Sequence, residues 1–127
     1  MKIFNRFEEL PVWKLARKLT NYIYEITYLP EFKKDFGLRE QIRRAAISVM
    51  SNIAEGFEHQ SQAQFVSYLA RARASAGEIR SQLYIAMDLQ YITKDQFQEA
   101  VLLAEECSKQ VYGYIKYLKS LLNTPRV

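Results

Sequence analysis

The sequence contains little cysteine, histidine, glycine or proline. Its 127 residues include one cysteine, one histidine, four glycines and three prolines. So few glycines and prolines leave little material for turns, which favours a small number of long elements in a single domain covering residues 1–127. The only cysteine, Cys107, has no partner for an intramolecular disulfide, and we therefore expect a reducing, cytoplasmic setting.

These shortages also exclude several kinds of chemistry. The only histidine, His59, has no nearby cysteine or paired carboxylates, so neither a zinc site nor a histidine-based nucleophilic triad can form within one chain. The glycines are dispersed and have no phosphate-loop spacing. Adjacent carboxylates occur at 8–9 and 105–106, but neighbouring residues of a helix diverge by about 100° and cannot act as an acid/base pair. We therefore expect a non-enzymatic protein without a cofactor or a bound metal.

Long apolar runs are missing as well. No stretch is long enough to cross a membrane, and the first ten residues lack the apolar core and cleavage site of a secretion signal. We therefore expect neither membrane insertion nor export. The formal net charge is +4 and the isoelectric point is about 9.2, which favours acidic partners but is modest for a protein dominated by nucleic-acid binding.

Apolar residues recur at helical spacing in four segments, and no strand pattern competes with them. The predicted helices cover residues 11–29, 38–56, 62–90 and 94–122, with a loop over 30–37 that ends at a flexible Gly37, and a stop at 123–125. Pro11 suits the first turn of the first helix and Pro30 stops it, while Gly56 ends the second. Ser61 and Thr93 each open a capping box before the third and fourth helices. Four such helices with short connections predict an all-α, antiparallel up-down-up-down four-helix bundle.

The third predicted helix carries two packing faces on opposite sides. Its bundle seam consists of Phe65, Leu69, Ala72, Ala76, Ile79 and Leu83. The other face is a stripe of small residues, Ala70, Ala74, Gly77 and Ser81. Small side chains let a second backbone approach closely, which predicts a homo-oligomer joined through this stripe. The alternative is that these alanines only favour helix on a hydrated surface.

The second predicted helix is more apolar than one core requires. Its apolar residues cover well over half of the circumference, with Arg39 and Arg43 set inside this arc and Met50 part of it. A monomer would expose part of the arc, so we expect these three residues at an oligomer interface. A polar strip follows the edge of the arc and contains Gln41, Ser48, Asn52 and Glu55. We predict that this strip lies at the boundary between core and interface; the alternatives are a ligand site, or an intersubunit active site that includes Glu78.

Basic residues gather on two predicted helix faces. The first helix carries Lys14, Arg17, Lys18 and Asn21 beside Trp13, Tyr24 and Tyr28, and the fourth carries Lys109, Tyr112, Lys116 and Lys119. In the predicted bundle these faces lie at the same end of neighbouring helices. Cations mixed with aromatic rings are typical of surfaces that follow phosphates and stack on unpaired bases, so we predict nucleic-acid binding here. The alternative is a hydrated face whose positive charge is interrupted by Glu25 and Glu105.

Several sequence blocks resemble a known family. The main blocks are GLREQIRRAA at 37–46, SV at 48–49 and SNIAEG at 51–56. Further matches are LPVW at 10–13, Ser61 with Phe65, YL at 68–69, Ser75 with Glu78 and Ile79, and YI at 91–92. Together these blocks resemble the ribosomal-protein-like, four-helix-bundle family found in intervening sequences of bacterial large-subunit ribosomal RNA genes. Its motif positions in this chain are Gln41, Ser48, Asn52, Glu55, Gly56, Ser75 and Glu78.

The resemblance implies a homopentameric barrel of antiparallel four-helix subunits, no known catalytic residues and a link to RNA. The related accessory variability determinants are basic pentamers that assist the reverse transcriptase of diversity-generating retroelements and contact nucleic acid. We therefore expect a cytoplasmic oligomer that binds RNA or DNA, or a nucleoprotein partner such as a reverse transcriptase. The alternative is an oligomeric protein scaffold without nucleic-acid binding. The sequence departs from the family at His59, where arginine is common, and at Arg71, where an apolar residue is usual.

Overall fold

The structure of this protein is a computed structural model that describes residues 4–59 and 61–122. Its α-helices, in chain order, are α1 (Pro11–Thr27), α2 (Pro30–Lys34), α3 (Phe36–Glu58), α4 (Gln62–Asp88) and α5 (Lys94–Leu122). A 3-10 turn over Phe7–Glu9 precedes α1, and no strand occurs in the described ranges. The all-α prediction is confirmed with one additional helix, and the long helices start or end within two residues of their predicted bounds. The stop predicted at 123–125 lies outside the described residues.

Each of the four long helices buries one apolar face. α1 packs against α3 and α5, and α4 packs against the same two helices, so the four surround a shared core. The predicted seam of α4, from Phe65 to Leu83, is buried in full. On α3 the core contacts come from residues such as Ile42, Val49 and Ile53. The described part of the chain is therefore a helical bundle.

The predicted capping residues begin α4 and α5 as expected. Thr93 Oγ1 accepts a hydrogen bond from the Gln96 backbone N–H at 3.1 Å, and Gln96 Oε1 accepts one from the Thr93 N–H at 2.8 Å. This reciprocal pair completes a capping box. Ser61 Oγ accepts a hydrogen bond from the Gln64 N–H at 3.3 Å, and this is the one bond of the predicted Ser61 capping box that the structure describes. Between the two helices, Gln90 has a φ of 61°, a left-handed conformation through which the chain reverses in few residues.

The loop predicted over 30–37 is partly wrong, because α2 forms within it. Pro30 is the first residue of α2, a position where its fixed φ and missing N–H fit a helix. Phe32 is fully buried, and its ring centre lies 5.4 Å from that of Tyr91. Asp35 caps α3 by accepting a backbone N–H bond at 3.1 Å, and it also accepts a bond from the Tyr91 hydroxyl at 2.9 Å. The α2 segment thus connects the start of α3 to the turn between α4 and α5.

The two glycines predicted as helix or loop ends both lie inside α3. Gly37 is in its first turn, and α3 continues past Gly56 to Glu58, so the helix end predicted at Gly56 is wrong. A Cβ at position 56 would lie 2.8 Å from both Phe65 Cδ1 and Tyr68 Cβ. Gly56 is buried, and its missing side chain lets α3 and α4 approach closely at this point.

Candidate nucleic-acid interface

A groove runs along the contact between α4 and α5. It has a volume of about 450 Å³ and is lined by Ala70, Arg73, Ala74, Gly77 and Arg80 of α4 and by Ser108, Tyr112, Ile115 and Lys119 of α5. A second depression of about 390 Å³ shares Arg73, Arg80, Ser108 and Tyr112 and adds Leu102, Glu105, Glu106 and Lys109. We refer to the two depressions together as the α4–α5 groove.

Helical periodicity places the polar lining of this groove beside the core and not inside it. Arg73 and Arg80 are seven residues apart, which corresponds to two turns and about 10.5 Å along a helix. Tyr112 and Lys119 have the same spacing on α5. Because the apolar seams of α4 and α5 face the core, residues about a quarter turn from each seam lie along the contact between the helices. The cations of both helices therefore border one groove.

The cations of the groove are not neutralised by direct ion pairs. Within residues 4–59 and 61–122, the ion pairs join Arg6 to Glu8, Lys34 to Glu31 and Arg39 to Glu40. None of these involves a cation of the groove. The Arg73 guanidinium instead lies 4.5 Å from the centre of the Tyr112 ring, and the Lys116 ammonium lies 5.6 Å from it. Carboxylates line only the second depression, so the part that contains Lys119 is the more positive.

The predicted basic face of α1 borders a different part of the surface. Lys14, Arg17 and Lys18 are exposed, but none of them lines the α4–α5 groove. Lys18 lines a separate depression that also contains carboxylates from α1 and α5. Arg17 lies 5.9 Å from the ring of Trp13, which is half-buried. Lys14, Arg17 and Lys18 therefore lie outside the lining of the α4–α5 groove.

The predicted basic residues of α5 do lie at the groove. Lys109, Tyr112 and Lys119 line it, and Lys116 is close to the Tyr112 ring. Their neighbours across the groove are Arg73 and Arg80 of α4, not the cations of α1. The positive surface of α5 is thus completed by a helix that the sequence interpretation had assigned to self-association.

The small-residue stripe of α4 coincides with the same groove. Ala70, Ala74 and Gly77 line it, whereas Ser81 is exposed outside its lining. A Cβ on Gly77 would have no atom within 4 Å, so nothing in the described chain covers this part of the stripe. The predicted oligomer contact of the stripe and the predicted nucleic-acid contact of α5 therefore compete for one surface.

Arg73 and Arg80 are the functional candidates that the sequence interpretation missed. Both alternate with the small residues of the stripe. The oligomer contact was predicted from the size of those small residues, and the charge of the two arginines was not considered. A usable signal was present, because arginines seven residues apart share one helix face with Gly77 between them.

The arginines inside the apolar arc of α3 make contacts within the chain. Arg43 Nε donates a hydrogen bond to Thr27 Oγ1 at 2.8 Å, and its guanidinium lies 4.4 Å from the Tyr24 ring. Arg39 donates a hydrogen bond to a backbone carbonyl of α2 at 3.0 Å. Met50, from the same predicted interface, is half-buried against the core. The two arginines thus join α3 to α1 and α2, independently of any second copy.

The inner residues of the family motif form a polar bridge between α3 and α4. Ser48 Oγ and Ser75 Oγ are 2.9 Å apart. Asn52 Nδ2 donates to the Ser48 hydroxyl at 2.9 Å and to the Ser48 carbonyl at 2.8 Å. The outer motif residues Gln41, Glu55 and Glu78 are exposed or half-buried at the edge of this contact. The inner part of the predicted polar strip therefore connects two helices of one chain.

The two positions that depart from the family pattern meet at Tyr68. The His59 ring stacks on the Tyr68 ring with centres 4.9 Å apart, and the Arg71 guanidinium lies 4.8 Å from the centre of the same ring. Ala54, Glu55 and Glu58 complete an open depression of about 400 Å³ beside them. Both departures therefore concern the end of the α3–α4 contact and not the α4–α5 groove.

Reactive groups are scarce in the described residues. No set of three histidine, cysteine, aspartate or glutamate side chains among them could hold a metal ion. Burial raises the pKa of the Cys107 thiol to about 12, so this thiol carries almost no thiolate near neutral pH. Over the same ranges, none of the helices combines the length and the apolar character needed to cross a membrane.

Comparison with known proteins gives a consistent result. Residues 8–113 match a family described as 23S rRNA-intervening sequence protein. Among solved structures, this chain is similar to a protein of unknown function from the S23 ribosomal protein family of Bacteroides thetaiotaomicron VPI-5482. That likeness has a TM-score of 0.77 and 27% sequence identity, and it covers 83% of this chain and 98% of that one. No curated protein matches. The matched range includes every motif position and most of the groove.

Proposed function

Because this chain belongs to the 23S rRNA-intervening sequence protein family, as its sequence blocks predicted, we propose that it is a non-enzymatic RNA-binding protein that contacts RNA through the α4–α5 groove. The family name supports a connection with ribosomal RNA, and the similar solved protein belongs to a family named for a ribosomal protein. A family name does not say which residues bind RNA. The physical argument for the binding surface therefore comes from the groove.

The observation that carries this proposal is the set of cations in the groove. Arg73 and Arg80 form one wall, and Lys109 and Lys119 belong to the other. None of them takes part in the ion pairs of the described residues. RNA phosphates supply the negative charge that these side chains lack, and each phosphate that is neutralised releases condensed counterions. Tyr112 adds aromatic surface between the cations.

The proposal includes an up-down-up-down arrangement of the four long helices. Gly56, near the end of α3, approaches Phe65, near the start of α4. Phe65 also contacts Tyr114 near the end of α5, whereas Tyr84, near the end of α4, contacts Phe97 near the start of α5. These pairings support antiparallel neighbours in a bundle with short connections.

Assembly into a homo-oligomer, with the pentamer that the family resemblance implies, also belongs to the proposal. Phe36 is 65% exposed and Ile47 is 45% exposed, and their separation of about three turns places them on one face of α3. Two copies joined through the α4–α5 groove would bring like charges together, so we place the self-contact on this α3 face. A ring of such subunits sums the positive fields of several grooves. A single 14.9 kDa species in sedimentation at micromolar concentration would contradict assembly.

We further propose a cytoplasmic location and an accessory role beside a nucleic-acid enzyme such as a reverse transcriptase. The free thiol of Cys107 is compatible with a reducing compartment, and the resemblance to accessory variability determinants supports the partner. Gene neighbourhood tests this role. A reverse transcriptase with template and variable repeats beside the gene supports the accessory role, whereas a location within a ribosomal RNA gene supports the intervening-sequence role.

RNA binding measured against salt tests the central proposal. We expect the affinity for a labelled RNA to fall steeply as the salt concentration rises. A groove variant with Arg73, Arg80, Lys109 and Lys119 changed to glutamate should lower the magnitude of the slope of log K against log salt by about 3, because four phosphate contacts are lost. A matched variant with Lys14, Arg17 and Lys18 changed to glutamate should keep most of the slope. The opposite result would move the interface to α1.

A protein scaffold is the second candidate function, and exposed apolar side chains favour it. Ile85 and Leu89 are exposed at the end of α4, and their spacing of four residues makes them neighbours on one helix face. In that case the positive charge only accelerates encounter with an acidic protein. Recovery of one defined protein partner after nuclease treatment, together with loss of that partner in an Ile85→Asp, Leu89→Asp variant, would favour the scaffold.

A further inference from the structure

Tyr112 is the aromatic centre of the α4–α5 groove. It lines both depressions and is 46% exposed. Arg73 lies 4.5 Å from its ring centre and Lys116 lies 5.6 Å from it. Both cations lie over the ring. A nucleobase that stacks on Tyr112 therefore takes the place of one of them, and the displaced cation can bind the phosphates attached to that base.

The α4 side of the groove is lined by small residues. Ala70, Ala74 and Gly77 form the α4 side of the floor, and a Cβ at position 77 would meet no atom within 4 Å. The groove lies between the outer side chains of two packed helices, and nothing within 4 Å of position 77 fills it. A base-paired helix keeps the faces of its bases stacked against one another and offers such a groove no free base face for an aromatic ring to stack on. Tyr112 would then have no base to contact.

Cations lie on both walls of the groove. Arg73 and Arg80 are about 10.5 Å apart on α4, and Lys109 and Lys119 are about 15 Å apart on α5, by the rise of a helix. A single backbone running along the groove therefore passes between cations of the two helices. At about 3.4 Å per nucleotide for a stacked strand, the distance between Lys109 and Lys119 corresponds to about four nucleotides.

From this geometry we propose that the α4–α5 groove binds a single-stranded segment of RNA in preference to a base-paired one, with one unpaired base stacked on Tyr112 and its neighbouring phosphates bound by the cations on both walls. This inference rests on the proposed RNA binding. It adds that the bound RNA is single-stranded and that Tyr112 is the residue on which a base stacks. The small residues of α4 leave space for the strand on that side of the groove.

The first test compares one labelled RNA oligonucleotide of about twelve nucleotides, without internal pairing, as a single strand and after annealing to its complement. Fluorescence anisotropy at one salt concentration gives both affinities. We expect the full-length protein to bind the single strand roughly tenfold more tightly, because only the single strand gains base stacking. Equal or tighter binding of the duplex would overturn this inference and leave RNA binding intact. Absence of binding to either form would overturn both proposals.

The second test changes the stacking residue. Tyr112→Leu should weaken single-strand binding roughly tenfold and leave duplex binding within about twofold, whereas Tyr112→Phe, which keeps the ring, should bind like the wild type. Tyr28→Leu is the matched control, because the Tyr28 ring also has a cation nearby, Lys33 at 4.4 Å, but lies outside the groove. Unchanged single-strand binding by Tyr112→Leu would overturn the stacking contact.

The third test fills the floor of the groove. Gly77→Leu should weaken single-strand binding by a similar factor, because the new side chain occupies the space of the strand. Gly113→Leu is the matched control: Gly113 also lies in a helix where an added Cβ would meet no atom within 4 Å, but it does not line the groove. Thermal unfolding of both variants shows whether the helices are intact. Wild-type binding by a folded Gly77→Leu variant would place the strand elsewhere.

Discussion

α4 contacts a long helix on either side, and the two contacts differ in the surroundings of the glycine at each. Toward α3, Gly56 is buried where Phe65 and Tyr68 leave no room for a Cβ. Toward α5, Gly77 lines an open groove in which a Cβ would meet no atom within 4 Å. One glycine therefore permits a closed contact, and the other leaves a contact open.

The neighbours of each glycine explain this difference. Gly56 lies opposite aromatic carbon atoms, and the nearby α3–α4 contact is bridged by the uncharged Ser48 and Ser75. Gly77 instead lies between Arg73 and Arg80 on the groove side of α4. Removing a guanidinium from water without a paired anion is costly, so the α4–α5 edge stays open to solvent. A small residue indicates close packing only where its neighbours can also be buried.

The largest effect is expected where the closed contact is disturbed. Gly56→Ala should lower the free energy of unfolding by about 3 kcal/mol, because the added Cβ meets two carbon atoms at 2.8 Å, one of them the Cβ of Tyr68. That atom is fixed to the α4 backbone and can yield only if the helix shifts. Urea unfolding measures the loss. A variant as stable as the wild type would show that the two helices do not approach closely here.

A pH titration tests whether solvent that enters the groove reaches the buried Cys107. Cys107 is buried, although Ser108 beside it in sequence lines the groove. Burial raises the pKa of the Cys107 thiol from 9.0 to about 12. Between these values the unfolded chain binds fewer protons than the folded one, so the free energy of unfolding falls as the pH rises.

At pH 10.5 this loss should reach about 2 kcal/mol relative to the value well below pH 9. Urea unfolding as a function of pH measures it, with Cys107→Ala as the control, because that variant lacks the titrating thiol and should show a correspondingly flatter dependence. Equal pH dependence of the two proteins would indicate that solvent reaches Cys107 through the groove.

The polar bridge of the closed contact should contribute a smaller amount. Asn52→Ala removes two hydrogen bonds to Ser48, at 2.8 and 2.9 Å, and should lower the free energy of unfolding by about 1 kcal/mol. Gln41→Ala, at an exposed position of the same strip, should change it by less than about 0.5 kcal/mol. If the two variants lose equal stability in urea unfolding, the hydrogen bonds between Asn52 and Ser48 make no particular contribution to stability.

The smallest effect is expected at the open contact, and it has the opposite sign. Gly77→Ala should raise the free energy of unfolding by about 0.5–1 kcal/mol, because alanine favours helix and its Cβ meets no atom within 4 Å. Gly113→Ala should give a similar gain for the same reason. A loss of stability at position 77 alone would show that the groove is closed by some contact absent from a single chain, such as a second copy.

Two predictions that depend on one helix at a time were confirmed. The α4 seam is buried from Phe65 to Leu83, and Thr93 with Gln96 forms the predicted capping box. Both depend on residues three to four positions apart, which interact within one helix and need no contact with another helix. The family could also be recognised from the sequence, because each of its motif blocks is contiguous along the chain.

Predictions that depend on a partner helix were the ones that changed. The sequence pattern makes Pro30 a stop, but α2 forms because Phe32 packs against Tyr91 from a distant part of the chain. For the site, spacing correctly placed Tyr112 and Lys119 on one face of α5, but it could not identify which helix lies beside that face. The contact between Arg73 and Tyr112 became visible only in the folded structure.

The amino-acid sequence alone determined the long helices, their capped starts, the family and the positive charge, because each follows from side chains close together along the chain. The tertiary structure decided which helix faces meet: it buried Gly56 against α4, left Gly77 open in a basic groove, and placed Arg73 and Arg80 of α4 beside the cations of α5. The physical reason is that a residue's spacing sets its direction from its own helix axis, whereas burial and charge depend on the atoms that another helix brings opposite it.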